Sequence, residues 1–221
     1  MESFLAGIAS NGPMLLLPLF FQNTKGFTAV EAGLMLIPQG LGMMVTRPLI
    51  GKMIDRMGAR PVVLVSLAIS LLGTLPFIFV HENTNLIWLG LVLFVRGMGI
   101  GGLQMPMMTD IFIGLDKQDI PGASVGQRII QNVGSSFGSA VISAVVTAVV
   151  TSEIAGQMTT KLHQLAAMHT NLTPTVIAKA KTSVEKAVTL NGYQLGFLVS
   201  SIVLIVIAIP AMFLSQKKVN K

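Results

Sequence analysis

Six apolar stretches, separated by short charged segments, dominate this chain of 221 residues. A helix needs roughly 20 mostly apolar residues to cross the hydrocarbon core of a bilayer. The pattern therefore predicts an all-α membrane protein whose six transmembrane helices lie within residues 1–215. The predicted spans run from about Ser3 to Gln22, Ala29 to Ile50, Val62 to Val80, Leu86 to Met108, Ala123 to Val150 and Tyr193 to Leu214.

Charged residues are too sparse to cover a soluble surface. They make up 11% of the sequence, against 52% hydrophobic residues, whereas a soluble domain carries about 25% charged residues. The formal net charge is +6, but the basic residues gather at span ends and form no basic face with interleaved aromatics. Nucleic acid is therefore not an expected partner, and the lipid bilayer is. With no cysteine in the chain, disulfides and thiol chemistry are excluded.

The positions of the basic residues predict the orientation. With six spans, segments 51–61 and 109–122 and the tail 216–221 share one side of the membrane. Short cytoplasmic loops are enriched in lysine and arginine, so both termini are predicted on the cytoplasmic side of a bacterial cell membrane. The short opposite loops contain Lys25. The basic residues of the predicted cytoplasmic side are Lys52, Arg56, Arg60, Lys117, Lys217, Lys218 and Lys221.

A long segment, 151–192, is predicted on the outer side. Apolar residues recur in it at helical spacing, which predicts two amphipathic helices lying on the outer membrane surface, with a break at 171–174. A solvated, partly helical loop fits the sequence equally well. The apolar residues are Ile154, Met158, Leu162 and Leu165 in the first stretch, and Val176, Ile177, Ala180, Val184 and Val188 in the second.

The segment between the second and third spans carries a motif. It reads Gly51-Lys52-Met53-Ile54-Asp55-Arg56-Met57-Gly58-Ala59-Arg60. We interpret it as a tight cytoplasmic turn in which Gly51 and Gly58 allow positive φ and close backbone approach. Asp55 can accept hydrogen bonds at a helix N-terminus or pair with an arginine, and Arg56 and Arg60 hold the turn at the inner surface. An ordinary cytoplasmic loop needs basic residues, but no acid flanked by two glycines.

This Gly-x-x-x-Asp-Arg-x-Gly-x-Arg pattern resembles the signature of major facilitator superfamily transporters. Other stretches are similar to the fourteen-span drug:proton antiporter branch of that family (EmrB/QacA type). The resemblance covers essentially the whole chain and matches the C-terminal six spans of the fourteen, so it implies one half of a major facilitator superfamily fold. The similar stretches are Leu17–Gln22, Gly26-Phe27, Ala32–Leu34, Ile37–Gly40, Arg96–Gly101 and Gly134–Ala140.

Such transporters work through a cavity between two six-helix halves. The resemblance therefore implies half of an antiporter that exports amphipathic or cationic small molecules, with a proton gradient as driving force and no other cofactor. The implied partners are a small-molecule substrate and an N-terminal half or a second copy of the chain. On this interpretation the chain is a fragment, a truncated reading frame or a half that assembles with another. The alternative is a degenerate membrane protein that modulates a partner without transporting.

Polar residues inside the spans predict which helices face a cavity, because they are costly in lipid and usually face the bundle or water. They fall on the first, second, fourth and fifth spans, so the third and sixth are predicted on the outside. The candidate cavity or coupling residues are Asn11, Gln39, Arg96, Gln104, Gln127, Gln131 and Asn132.

Arg96 is the most costly of these residues. It lies ten residues into its span, about 15 Å deep, where an arginine costs at least about 2.5 kcal/mol unless it is paired or hydrated. Asp110 is about 21 Å further along the same helix, so backbone carbonyls, glutamines, water or an acid of another half are the expected partners. Two interpretations fit equally: a coupling residue, or a brace between neighbouring helices.

No catalytic or metal site is expected. The three histidines (His81, His163 and His169) all fall in predicted outer segments and share no metal-ligand spacing. The spans contain no paired acids, no His-Glu-x-x-His helix and no serine with a nearby base, which are the groups an intramembrane enzyme needs.

Overall fold

The computed structural model describes residues 2–81, 84–112, 118–167 and 173–211, without the side chains of 2–6, 9–13, 15, 55, 104–112, 165–167, 174–175 and 210. The predicted tail, 216–221, lies outside the described residues. A 3-10 turn, Leu75–Phe79, extends the fourth helix. The α-helices are α1 (Glu2–Lys25), α2 (Ala29–Leu34), α3 (Ile37–Met57), α4 (Ala59–Thr74), α5 (Leu86–Phe112), α6 (Ile120–Ala167) and α7 (Pro174–Ala211).

The predicted all-α membrane fold is confirmed. Within the described residues, five stretches are long and apolar enough to cross a membrane. The first predicted span corresponds to α1, a helix of 24 residues. The five stretches are Ala29–Ile54, Ala59–Phe79, Leu86–Leu103, Ile120–Gln164 and Val176–Ile209.

The second span is not the single continuous helix that its sequence predicts. It consists of α2 and α3, joined at Met35 and Leu36. Thr28 caps the start of α2 reciprocally: its backbone N–H donates to the Glu31 carboxylate at 2.8 Å, and the Glu31 N–H donates to Thr28 Oγ1 at 3.3 Å. Pro38, at the start of α3, has no N–H to continue the α2 hydrogen-bond ladder.

The predicted surface helices of 151–192 are instead extensions of two spanning helices. α6 is 48 residues long, about 72 Å at 1.5 Å per residue and more than twice the thickness of the hydrocarbon core. α7 begins at Pro174 and continues unbroken into the sixth span. The apolar residues Ala180, Val184 and Val188 are buried, because α6 and α7 pack against each other. Of the predicted break at 171–174, residues 171 and 172 lie outside the described residues, and Pro174 is already the first residue of α7.

The helix contacts repeat within the bundle. α5 lies between α3 and α4, and α1 lies between α6 and α7, while α4 also contacts α7. Exchanging the first three spans with the last three converts the α1–α6 contact into the α5–α3 contact. It also converts α1–α7 into α5–α4. Two inverted three-span repeats within a six-span half produce this pattern.

An aromatic cluster joins the ends of the first, third and sixth spans. The ring of Phe20 meets those of Tyr193 and Phe197 edge to face at centroid distances of 5.8 and 6.3 Å. The ring centroids of Phe77 and Phe197 are 4.9 Å apart. Such geometries add to the stabilisation from area burial. Next to the cluster, Gln194 Nε2 donates to the Val80 carbonyl at 2.8 Å.

Glycines bring the backbone of α5 into contact with both neighbours. A Cβ added at Gly101 would lie 2.9 Å from Met43 Cα on α3, and one added at Gly73 of α4 would lie 2.5 Å from Arg96 Cα. Small residues allow such close approach between membrane helices, where van der Waals packing drives association. The position of α5 therefore depends on several glycines that have no room for a side chain.

We predict that Gly73→Ala destabilises the fold by about 1–3 kcal/mol, because the new methyl group would press on helix backbone that cannot yield. Gly51→Ala is the matched control: a Cβ there meets nothing within 4 Å, so it should be neutral or stabilising by up to about 1 kcal/mol. Thermal unfolding of the purified protein, followed by size-exclusion fluorescence, measures both. Equal stability of the two variants would contradict the close α4–α5 packing.

Candidate functional site

A buried polar pair links α5 to α3 in the middle of the bundle. Arg96 is 1% exposed and Gln39 is 5% exposed. Arg96 Nη1 donates to Gln39 Oε1 at 3.0 Å. The structure thus brings together two of the residues predicted from sequence and identifies Gln39 as the described partner of Arg96.

The guanidinium group is only partly satisfied. Its Nε has no hydrogen-bond partner among the described residues, although arginine offers five N–H donors. The buried hydroxyls of α3 and α4 bond to their own helices: Thr46 donates to the Gly42 carbonyl and Thr74 to the Ser70 carbonyl, both at 2.8 Å. An arginine in such a place can donate a strong charge-assisted hydrogen bond to an anionic or carbonyl oxygen of another group.

Close backbone packing fixes the position of this pair. A Cβ at Gly97 would collide with the backbone carbonyl of Gln39. On the opposite side of α5, a Cβ at Gly73 would lie 2.5 Å from Arg96 Cα. The Arg96 backbone is therefore held against α4 while its side chain reaches α3. These contacts fix the spacing of the α3, α4 and α5 backbones from which the Arg96 and Gln39 side chains extend.

A second interface repeats this arrangement without an arginine. A Cβ at Gly7 of α1 would collide with the backbone carbonyl of Gln131 on α6, as Gly97 meets Gln39. Ser135 Oγ donates to the Gly7 carbonyl at 3.4 Å. In the sequence, Ala6 precedes Gly7 where Arg96 precedes Gly97. The glycine of this helix contact therefore follows an alanine in one repeat and an arginine in the other.

Among the other predicted cavity residues, the described side chains of Gln127, Gln131 and Asn132 are not hydrogen-bonded to Arg96. Gln127 of α6 is buried, and its Oε1 has no hydrogen-bond partner among the described residues. Gln131 is half-buried and Asn132 is exposed. The side chains of Asn11 and Gln104 lie outside the described residues. Their role in a cavity stays a prediction.

In the signature segment, Gly58 alone makes the turn. α3 ends at Met57 and α4 begins at Ala59, and Gly58 between them has φ +83°. Its N–H donates to the Ile54 carbonyl at 2.8 Å. This positive φ agrees with our expectation, because glycine adopts it without strain. Arg56 is exposed and Arg60 is half-buried.

The expectation for Gly51 was wrong. Gly51 lies inside α3, it has no positive φ, and a Cβ there would meet nothing within 4 Å. The helix continues past it because the apolar face of α3 does not stop at the predicted end of the span. The side chain of Asp55 lies outside the description, so its pairing with an arginine stays a prediction.

A set of contacts between span ends was missed by sequence reasoning. Lys25 Nζ donates to the carbonyls of His81 and Thr84 at 3.4 and 3.2 Å, and Asn23 Nδ2 donates to the Tyr193 hydroxyl at 2.7 Å. These bonds join one end of α1 to the turn before α5 and to α7. Asn23 and Tyr193 are 170 residues apart, and no local pattern in a single sequence signals such a contact.

Comparison with known proteins identifies the family. The family model described as Major Facilitator Superfamily matches residues 3–139, more than half of the chain. The chain belongs to the major facilitator superfamily. The matched region contains the Gly58 turn, the Arg96–Gln39 pair and the Gly7–Gln131 contact. This major facilitator superfamily chain is thus a multi-pass membrane protein of a transporter family.

Individual relatives agree with this family. The uncharacterized MFS-type transporter YcnB of Bacillus subtilis is 33% identical over 123 residues, which are 56% of this chain and 26% of the relative. The multidrug resistance protein Stp of Mycobacterium tuberculosis is 35% identical over 99 residues, 44% of this chain and 18% of the relative.

A third relative carries a narrower name. The tetracycline resistance determinant of Streptomyces rimosus is 34% identical over 109 residues, 48% of this chain and 31% of the relative. The chain thus spans less than a third of the length of each of these three relatives.

We predict that Gln39→Leu destabilises the fold by about 1–3 kcal/mol, because it leaves a buried guanidinium N–H without its acceptor. Gln131→Leu is the matched control, since it removes the glutamine side chain at the equivalent position of the other repeat, where the sequence has Ala6 in place of Arg96, and should cost less. The double variant Arg96→Met/Gln39→Leu should recover part of the loss, because both polar partners are gone. Unfolding of the purified variants tests this. Equal losses in Gln39→Leu and Gln131→Leu, with no recovery in the double variant, would disprove the pairing.

Proposed function

We propose that this chain is the C-terminal six-span half of a proton-coupled multidrug antiporter of the fourteen-span branch (EmrB/QacA type). It exports amphipathic or cationic small molecules together with an N-terminal half. The relatives named for multidrug and tetracycline resistance support this substrate class. The Gly58 turn and the contact pattern of two inverted repeats support the architecture of a transporter half.

The observation that carries the proposal is the incompletely satisfied Arg96. A brace between helices would need its hydrogen bonds filled within the bundle, yet Nε has no partner among the described residues. The equivalent Gly7–Gln131 contact has Ala6 before its glycine in the sequence, so packing of this kind does not require an arginine. Both features favour a coupling or cavity role, in which a helix movement opens the buried Arg96 site and the free donor then meets a substrate, a carboxylate of the other half or water.

The uncovered faces of α3 and α6 support a partner half. Of the five candidate spans, these two have the smallest buried share. Each presents a row of apolar side chains that the described helices leave exposed. We infer that an N-terminal half covers them and closes a cavity between the two bundles. The rows include Leu41, Met44, Val45 and Leu49 on α3, and Ile129, Ile130 and Val133 on α6.

The proton-carrying carboxylate belongs elsewhere on this proposal. The described acids of the helical segments lie near span ends or in the α6 and α7 extensions, as Glu31, Glu153 and Glu185 illustrate. Proton coupling therefore needs an acid from the N-terminal half, placed where Arg96 can respond to its charge. Opposite charges within about 4–6 Å shift each other's protonation, which is the physical basis for such coupling.

We predict an orientation with the α6–α7 extensions outside the cell and both termini in the cytoplasm. The chain has no cysteine, so single-cysteine variants report the side directly. Thr160→Cys should react with a membrane-impermeant maleimide in intact cells, and Lys52→Cys only after permeabilisation. Both positions are exposed. The reverse labelling pattern would invert the proposed topology.

Transport in vesicles tests the function. With an N-terminal half joined to the chain, a proton gradient should drive efflux of the fluorescent cation rhodamine 6G, and a protonophore should stop it. Arg96→Ala should reduce efflux to the level of empty membranes while membrane insertion persists. Arg128→Ala is the matched control, because Arg128 is an exposed arginine on α6, and should retain efflux.

The composition of the vesicles separates the possible partners. Transport by the chain alone would identify a second copy as the partner half. Transport only with an N-terminal half would support the proposal as stated. No transport in either preparation would favour a chain that modulates a partner without transporting. Unchanged efflux in Arg96→Ala would exclude the coupling role.

A further inference from the structure

The 3-10 turn that follows α4 leaves a cavity at the Lys25 end of the bundle. Pro76 lies at the start of this turn, and Val80, just after it, has an extended backbone with φ −70° and ψ 135°. The chain thereby leaves the axis of α4 before α5 begins at Leu86. The cavity has a volume of about 380 Å³, within the range of small-molecule sites, about 300–1,000 Å³. It is lined by Leu75, Pro76, Phe79, Val80, Thr84 and Trp88.

This cavity is open toward the lipid. The side chains of Phe79 and Trp88 in its wall are 75% and 52% exposed, whereas Phe77 of the same turn is buried in the aromatic cluster. Because α5 lies between α3 and α4, the turn is on the side of α5 away from the α3 row that we assign to a partner half. Tryptophan is enriched where a membrane protein crosses the lipid headgroup level. Lipid is therefore the surrounding from which an occupant enters.

A lysine ammonium is fixed at the rim of the cavity. Lys25 Nζ donates to the carbonyl of the lining residue Thr84 at 3.2 Å and to that of His81 at 3.4 Å. The His81–Thr84 turn is itself closed by two hydrogen bonds: the His81 N–H donates to Thr84 Oγ1 at 2.9 Å, and the Thr84 N–H donates to the His81 carbonyl at 3.0 Å. Lys25 is half-buried. Its positive charge is thus held beside an apolar cavity by contacts with backbone.

The position of Lys25 also lacks an explanation from topology. Basic residues of short loops concentrate on the cytoplasmic side, and Lys25 falls in a short loop predicted on the opposite side. A charge that does not set the orientation, placed at headgroup level next to an apolar cavity, is suited to a lipid headgroup.

We propose that the cavity and Lys25 together bind one anionic phospholipid, with the lipid phosphate against the Lys25 ammonium and part of an acyl chain in the cavity. The acyl chain leaves one apolar surrounding for another and gains van der Waals contacts alone, so the headgroup charge provides the selectivity. Basic groups of membrane proteins at headgroup level attract anionic lipids in this way. Phosphatidylglycerol is the occupant to test. The site does not depend on the proposed transport activity.

Trp88 makes the site directly observable. It is the one tryptophan of the chain and it lines the cavity, so bromine atoms on a bound acyl chain quench its fluorescence by contact. The full chain is reconstituted into phosphatidylcholine vesicles in which a fraction of the lipid carries bromine in the upper part of one chain. Brominated phosphatidylglycerol should bind about fivefold more tightly at Trp88 than brominated phosphatidylcholine, the factor expected for one lysine near a lipid surface.

Variants of the lysine test the headgroup contact. Lys25→Gln keeps an N–H donor for the two carbonyls but removes the charge, so the preference for phosphatidylglycerol should fall to about one. Lys25→Arg keeps the charge and should keep the preference. Lys186→Gln is the matched control, because Lys186 is an exposed lysine of the α7 extension that does not line the cavity, and should also keep it.

A second pair of variants tests the cavity wall. Phe79→Ala removes an exposed ring from the wall, so folding should persist while the preference for phosphatidylglycerol falls at least twofold. Ile87→Ala is its control, because Ile87 is 81% exposed next to Trp88 and does not line the cavity. The preference should be unchanged in Ile87→Ala.

The acid beside the site gives an opposite expectation. Glu82 belongs to the segment between His81 and Thr84, and its structure lies outside the described residues. Glu82→Gln removes a negative charge close in sequence to the Lys25 contacts, so it should raise the preference for phosphatidylglycerol. A lowered preference in Glu82→Gln would contradict the role of charge.

The remaining outcomes are equally decisive. Quenching by the two brominated lipids in proportion to their mole fractions would show ordinary lipid contact and overturn the site. A preference that survives in Lys25→Gln, or one that is lost equally in Lys186→Gln, would also overturn it. Transport by the assembled protein would stand in each of these cases, and failure of every transport preparation would leave a selective loss in Lys25→Gln as support for the lipid site.

Discussion

The close packing of α5 against α3 and α4 is the contact on which the rest of the bundle depends. Lipid offers helices no hydrophobic reason to associate, so backbone proximity and dispersion must provide the attraction. Gly73, Gly97 and Gly101 supply this proximity by leaving no side chain between the backbones. The same proximity places Arg96 beside Gln39 and encloses the guanidinium in protein. If α5 were loosely packed, lipid or water would reach the guanidinium of Arg96, and its hydrogen-bond partners would change.

The two inverted repeats use one packing solution for different purposes. Glycine against a glutamine carbonyl recurs at Gly97–Gln39 and Gly7–Gln131, which gives both halves of the bundle a similar frame. The residue before the glycine is arginine in one repeat and alanine in the other. The two repeats share a helix contact but differ in the residue next to it. A pseudo-symmetric bundle can therefore have a charged residue at one of the two equivalent positions. A charge in both repeats would double the desolvation cost in the membrane.

Sequence alone predicted the all-α bundle, the burial of Arg96 and the positive φ of Gly58, because hydropathy and glycine stereochemistry are local properties. It did not predict Gln39 as the partner of Arg96, since the two are 57 residues apart. The α6 extension was also misplaced: an apolar stripe at Ile154 and Met158 has the same periodicity whether it lies on lipid or against another helix. The expectation for Gly51 failed for a different reason: glycine is compatible with both a helical backbone and a positive φ, so its presence does not determine which of the two it adopts.

The unbroken length of α6 has a mechanical consequence. About 25 Å of this helix, residues 151–167, project past the predicted span at 1.5 Å per residue. A rigid rod of that length is a lever: tilting the span by roughly 10° would move the distal end by about 4 Å, within the scale of helix motions in switching proteins. Since α7 is also continuous across the predicted span boundary, any rocking of the bundle would be amplified at the distal ends of the α6 and α7 extensions.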